Sequence, residues 1–530
     1  MLILHFCSSV KTAVIEQKDC FLFIPVVFLN MEMYLSIDVG TTGLKVALIE
    51  GAGNMIASDY TEYPMSSPQP GYSEQDPEAW WQGFIKGCHS LKARCPQEFA
   101  AILGIGICGQ MHTQVYLDKN DRVLRPAITW MDQRSSSIVE RIQQDPSSRD
   151  LVFQETKNFT TTTYTAPQVK WVQENQPEIW SQVRHILVAK DYLKYKLTGK
   201  MMMDYAEASG TLLFDVVKET WSDKMFELFG IPRGYFPELA PSDVIMGHVS
   251  AEAAQLTGIT AGTPVANGSA DCLSAALGAG MIHSGQVTLI IGTAGVIAVC
   301  SDKPLVDPQY QTLCWHYCLR NKWVTLGITQ TAGQSLHWFK NAFDADKEQH
   351  SSGDIFNEYN QAIQNIPDGS EGLIFLPYLN GERTPYWDAS ARGVFFGINL
   401  FTTKGHCIKA IMEGVSFALR NCVETVESLG IAIDEIRAVG GGLKSPVWLN
   451  TVGKILRKPI YTVEMPDTGL IGNMILCQQA LKGPAETVPT LAKPAQKIHY
   501  PEASAVYEKR YTTFLTLYEN LKQTFKNSTM

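Results

Sequence analysis

The chain uses one short pattern twice. Tyr34–Glu50 reads YLSIDVGTTGLKVALIE, and Val287–Ser301 reads VTLIIGTAGVIAVCS. Each is an apolar run, a Gly-Thr-x-Gly turn and a second apolar run, which predicts a tight β-hairpin. A hairpin turn needs only Asn-Gly or Asp-Gly, so the Gly-Thr chemistry asks for another explanation. The same pattern in both halves of a 530-residue chain points to a duplicated domain. A chain of that length also exceeds what one hydrophobic core usually sustains.

The pattern suits an anion. Glycine lets the backbone approach a ligand closely and aim its N–H groups inward. Gly40, Thr41 and Thr42 offer those groups in the first turn, and Gly292 and Thr293 offer them in the second. Lys45 adds a point charge for a phosphate. Asp38 is an anion beside that phosphate, which makes sense only with a divalent cation between them. The two hairpins together read as a clamp for a nucleotide's phosphate tail, one jaw from each half.

Two other glycine stretches offer competing nucleotide sites. GIGICG, Gly104–Gly109, fits a dinucleotide fingerprint in letters but not in context, because no helix starts after Gly109. No Walker-type Gly-Lys-Ser/Thr loop is present. A strand to Val439 runs into Gly440-Gly441-Gly442, and a helix then starts near Ser445. Such a turn lets a flat ligand such as adenosine lie against the backbone, or it is a plain strand–helix connection.

Composition excludes several classes. A net charge of −9 disfavours nucleic acid or an anionic membrane as partner. Twelve cysteines without framework spacing fit a reducing compartment. Cys314 and Cys318 read as alternation in a strand rather than a metal pair, since no second ligand pair follows. The run CFLFIPVVFLN, Cys20–Asn30, falls short of the ~20 residues that span a bilayer. It also lacks the flanks of a signal peptide. Translation is expected to start at Met31 or Met33, with residues 1–32 a leader outside the fold and the protein cytoplasmic.

Several longer segments carry a resemblance. These are DVGTTGLK, IIGTAGV, GYSEQDPEAWW, GQMHTQVYLDKNDRVLRPAITWMDQRS, TAPQVKWVQENQPEIW, AKDYLKYKLTG and LPYLNGERTPYWDASARGVFFGI. The block Gly393–Glu413 fits as well, with Cys407 where an aliphatic residue is usual. On these the chain resembles the FGGY carbohydrate kinases, and among them the xylulokinases, over nearly its whole length. The resemblance implies an α/β fold of two ribonuclease-H-like domains, of the actin and hexokinase ATPase type, with an interdomain cleft. The N-terminal domain would span 33–278 and the C-terminal domain 279–527. The implied activity is ATP-dependent phosphorylation of a sugar hydroxyl, D-xylulose to D-xylulose 5-phosphate. Another ketose, a polyol or gluconate is the alternative acceptor. Sugar and ATP with Mg2+ are the implied ligands, and a homodimer is the assembly common in the family.

Roles carry over position by position. Asp271, at the start of an Ala/Leu/Gly helix, matches the base that accepts the hydroxyl proton; it could equally be a helix N-cap, and both can hold. Asp38 would hold Mg2+ through water, with Gly40, Thr41, Thr42, Lys45, Gly292 and Thr293 facing phosphates. Gly441 and Gly442 would flank adenosine, with Gly333 nearby. Gln110, Met111 and His112 match the sugar-contacting loop, although Met111 suits a core and His112 a structural hydrogen bond. The chain departs from the pattern at Cys272, where asparagine is usual after the base, and at Ala206, Met131 and Gln133. Its GLIGNMIL helix, Gly469–Leu476, lacks the usual alanine-rich start. The departures at Cys272, at Ala206 and at Met131 with Gln133 bear on the sugar rather than on the kinase chemistry. A non-catalytic sensor on the same fold would have lost the base or the phosphate loops. A chaperone or filament ATPase would lack the sugar loop and carry a large extension.

Overall fold

The computed structural model describes residues 32–345, 355–440, 442, 445–463, 467–483 and 504–528, with the strands at 4–6, 13–17, 20–24 and 494–498. Each predicted hairpin forms, and each seeds a seven-stranded sheet. In the first sheet β1 (Met33–Val39) pairs antiparallel with β2 (Gly43–Glu50), and β2 with β3 (Met55–Glu62). On the other side of β1 lies β4 (Ile102–Gly109), parallel to it. Beyond that come β5 (Ile245–His248) and β6 (Pro264–Ala266), with β6 parallel to β4. A short β7 (Ser269–Ala270) extends the ladder of β4.

The second sheet repeats the plan. Here β8 (Gln286–Ile291) and β9 (Gly295–Ser301) form the hairpin, and the meander strands are β10 (Leu313–His316) and β11 (Trp323–Thr329). Then β12 (Glu435–Val439) runs parallel to β8, β13 (Ile460–Val463) parallel to β12, and β14 (Pro494–Ile498) closes the edge. The strand orders are β5-β6-β4-β1-β2-β3 and β10-β11-β9-β8-β12-β13-β14. Both place a hairpin strand at the centre, parallel to the strand that precedes a functional turn. The expected two-domain α/β architecture is therefore present, with the duplication visible as topology.

Central strands are buried on both faces, as such sheets require. Leu35, Ile37 and Val39 are wholly buried, each stabilising the fold by about 1.5–3 kcal/mol. The edge strand β3 alternates half-buried and exposed residues. Four helices position the site: α1 (Asp271–Gly278), α2 (Gly333–Phe343), α3 (Pro446–Leu456) and α4 (Thr468–Lys482). Helix α4 comes from the second half but lies on the first sheet. Asn473 Nδ2 donates to the Ile37 carbonyl at 2.7 Å, and Ser36 Oγ donates to the Leu470 carbonyl at 2.6 Å. The approach is too close for side chains: a Cβ on Gly472 would lie 1.9 Å from the Ser274 carbonyl oxygen, and one on Gly106 2.1 Å from that of Asn473.

A second seam joins the halves along β10. Asn158 brackets Cys314, donating to its carbonyl at 2.8 Å and accepting from its N–H at 3.0 Å. Cys314 and Cys318 are both buried, but only Cys314 lies in β10, which ends at His316, so the strand alternation expected for the pair holds for Cys314 alone. The strands at Leu4–Phe6, Ala13–Gln17 and Cys20–Ile24 pair only with one another. Much of the expected leader, including 25–31, lies outside the described residues. No helix among the described residues is long and apolar enough to cross a membrane.

Candidate active site

The first hairpin is built to hold its turn open. Gly40 N–H donates to the Gly43 carbonyl at 3.1 Å, which tightens the turn. Trp130 Nε1 donates to Thr41 Oγ1 at 3.0 Å, and Gln75 Nε2 donates to the Thr41 carbonyl at 2.5 Å. Thr42 Oγ1 lies 3.2 Å from the Tyr60 hydroxyl on the exposed side. Gln110 is engaged within the protein: its amide reaches Gln75 at 2.8 Å and the Gly40 carbonyl at 3.4 Å, and it accepts from Thr113 Oγ1 at 3.1 Å. It thus ties the 110–113 loop to the first hairpin.

Asp38 and Lys45 face each other across the β1–β2 ladder. Lys45 Nζ reaches over to the second half and meets Asp467 Oδ1 at 2.5 Å. Asp38 Oδ1 is buried with no hydrogen-bond partner. Burial raises its affinity for a proton, while the Cys108 thiol and the Lys45 charge oppose that rise and Asp467 adds to it. Asp271 is the first helical residue of α1, with Ala270 in the N-cap position. It accepts the Cys272 N–H at 2.6 Å instead of capping the helix. Burial, and then the nearby Asp38 charge, push its carboxyl up to about 7. Two half-buried carboxylates that repel, one with an orphaned oxygen, are donors that suit a divalent cation.

The 110–113 loop lies over the start of α1. Met111 Sδ is 3.9 Å from Cys272 Sγ. His112 sits at φ 66°, a left-handed conformation that turns its ring inward. Its Nδ1 lies 2.6 Å from the Gly210 carbonyl, so the proton is on Nδ1 and Nε2 is an acceptor. Burial lowers the imidazole to about 4, so the ring is neutral. Tyr164 and Trp315 pack edge-on against it, with centroids 5.4 and 5.7 Å away. Below the loop Glu207 accepts the His112 N–H at 3.3 Å, and Lys190 Nζ stands 3.8 Å from Glu207 Oε2. Trp315, Glu207 and Asp467 escaped sequence reading. Glu207 had a visible signal, an acid within the small-residue segment MDYAEASGT; the other two join the site only through tertiary packing.

The second hairpin, α2 and the triple-glycine turn meet at the end of β8. Gly333 N–H donates to the Gly292 carbonyl at 2.8 Å, and Ala332 N–H to that of Thr293 at 2.8 Å. A Cβ on Gly333 would come within 2.6 Å of the Gly292 oxygen. Gly442 lies against Ile291, where a Cβ would reach 2.5 Å. Gly441 lies outside the described residues. Ser445 caps α3, accepting the Trp448 N–H at 3.2 Å.

Residues 33–278 match the N-terminal domain of the FGGY family of carbohydrate kinases, and residues 287–481 match its C-terminal domain. The chain belongs to this FGGY family. Its members transfer phosphoryl from ATP to a sugar hydroxyl, and the chain is a carbohydrate kinase that uses ATP and a divalent metal. It is 33% identical over 500 residues to the xylulose kinase of Lactococcus lactis, covering 94% of this chain and 97% of that one. It is also 33% identical over 496 residues to the xylulose kinase of Escherichia coli, covering 92% and 99%. A crystal structure titled as a xyloylose kinase from Brucella ovis superposes with a TM-score of 0.86 at 32% identity, covering 93% of this chain and all of that one.

Proposed function

We propose that this FGGY kinase phosphorylates D-xylulose to D-xylulose 5-phosphate, with Asp271 as the base and MgATP as the donor. The observation that carries the reading is the environment of Asp271, a half-buried carboxylate at the start of α1 that desolvation and the Asp38 charge push up to about 7. A base poised near neutrality takes a hydroxyl proton efficiently. Names of relatives support the choice of sugar. Met111, His112 and Cys272 line the acceptor side in this account, and Gln110 holds that loop against the phosphate hairpin. Gly40, Thr41, Thr42 and Lys45 meet the phosphate tail from one side, and Gly292 and Thr293 from the other. Gly333, Gly441 and Gly442 flank adenosine. Asp38 holds Mg2+, which neutralises phosphate charge as transfer proceeds.

The domains proposed for these parts are 33–278 and 279–527, with residues 1–32 outside them. A cytoplasmic setting suits the ten free cysteines found between Cys88 and Cys477. The test is a panel of D-xylulose, other ketoses, pentitols and gluconate in a coupled assay of ADP release. D-xylulose is expected to give the highest kcat/KM. Release of ADP driven only by gluconate or a pentitol would overturn the assignment of the sugar.

A further inference from the structure

The first hairpin turn keeps two backbone donors open. Among the described residues, nothing accepts from the N–H of Thr41 or of Thr42. The carbonyls on the same two peptides are both engaged. The Gly40 carbonyl accepts from the Tyr63 hydroxyl and from Gln110 Nε2, the latter at 3.4 Å. The Thr41 carbonyl accepts from Gln75 Nε2 at 2.5 Å. A trans peptide points its C=O and its N–H in opposite directions. Holding both carbonyls toward these side chains therefore turns the Thr41 and Thr42 N–H groups away from them. Thr41 is half-buried and Thr42 exposed, so a ligand can reach that side of the turn.

Gln75 can hold only one orientation. Gln110 Oε1 accepts from Thr113 Oγ1 at 3.1 Å, so its amide nitrogen faces Gln75 Oε1, 2.8 Å away. A carbonyl only accepts, so Gln75 must present its NH2 to Thr41. The backbone under this side chain is fixed on both sides. Glu74–Gln75 pairs antiparallel with Ala127–Ile128. The next residue, Asp76, caps the helix Pro77–Arg94 by accepting the Glu78 N–H at 3.0 Å. Trp130, just beyond the paired strand, donates to Thr41 Oγ1 at 3.0 Å. Gln75 itself is buried, so no water competes freely for its amide.

We propose that Gln75 is a positioning residue for the nucleotide. By holding the Thr41 carbonyl it aims the Thr42 N–H at the phosphate tail, and through Gln110 it helps to aim the Thr41 N–H. Without that donor the Thr41 carbonyl is left unsatisfied, and its peptide turns to find another partner. The N–H on the same peptide then leaves the phosphate. Losing a hydrogen bond to a charged group weakens binding by about 10–100-fold. This inference rests on the kinase reading and refines how the first hairpin grips phosphate.

The test compares wild type with Gln75→Met, which keeps the side chain's length and removes its donor. Titration calorimetry without sugar gives the Kd of a MgATP analogue whose β–γ bridge cannot be hydrolysed, and the ADP-release assay gives KM for ATP and for D-xylulose. The variant should bind the analogue at least about fivefold more weakly and raise KM for ATP by a similar factor. KM for D-xylulose should stay within about twofold, because His112 remains fastened to the Gly210 carbonyl and to Glu207. A loss of analogue affinity below fivefold, or equal rises in both KM values, would overturn the role of Gln75. If Gln75→Met does not fold, Gln75→Leu decides by the same thresholds. A wild type that binds the analogue but does not turn over D-xylulose would overturn the acceptor proposed above, and the titration alone then decides the role of Gln75.

Discussion

Asp271, the proposed base, carries a cost for the fold. Its folded affinity for a proton exceeds its unfolded affinity, so the stability gained from protonation is present at acid pH and lost as pH rises through about 7. Asp271→Asn removes that burden. In the metal-free protein the variant should melt a few degrees above wild type at pH 8, and the gap should close as pH falls toward 4. A Tm difference independent of pH, followed by scanning fluorimetry, would contradict the described environment. The same group predicts the pH profile. The acidic limb of kcat/KM for the sugar should lie well above the ordinary carboxylate value of ~3.9, toward 7 at low cation concentration. It should move down as Mg2+ is raised, because a cation favours the carboxylate. Candidates of this kind are visible in the sequence because the proposed chemistry demands their type: Asp38, Lys45 and Asp271 stand out in their segments. The role of Gln110 in bracing the hairpin was not legible, because its partners, Gln75 and the Gly40 carbonyl, are distant in sequence.

Elements were legible where period and glycine agree. Both hairpins, the β4 strand through GIGICG, the end of β12 at Val439 and the start of α3 after Ser445 form as the pattern predicts, each carrying its own local instruction. The placement of α4 was not legible. Nothing local tells a helix of the second half to lie on the first sheet, and its glycines acquire meaning only from the carbonyls they meet. Gly472→Ala should therefore destabilise, although helix propensity alone favours alanine there by about 1 kcal/mol. Overpacking typically costs about 1–3 kcal/mol, and backbone sits where the methyl would go. A Tm equal to wild type, by calorimetry, would show that the crossing is looser than described. Gly333→Ala tests the junction of α2 with the second hairpin. It should raise the KM for ATP at least severalfold while leaving the KM for sugar near wild type. An unchanged KM for ATP would detach that helix start from the nucleotide site.

At the scale of the whole molecule, two copies of one topology close on each other, and function belongs to neither alone. Lys45 of the first half pairs with Asp467 of the second, and Trp315 of the second walls His112 of the first. A chain beginning at Met31 keeps Glu32, whose carbonyl accepts the Gly51 N–H at 2.7 Å. Such a chain should melt and turn over like the full one. A loss of soluble protein would show that residues 1–30 pack on the body. The central claim is that Asp271 drives transfer from ATP to D-xylulose, and one comparison tests it most directly. ADP release is followed with saturating D-xylulose, wild type beside Asp271→Asn. Wild type should release ADP in step with sugar phosphate, and the variant should be slower by ~10²–10⁴-fold with its KM for ATP unchanged. Turnover by the folded variant within a few-fold of wild type would contradict the account.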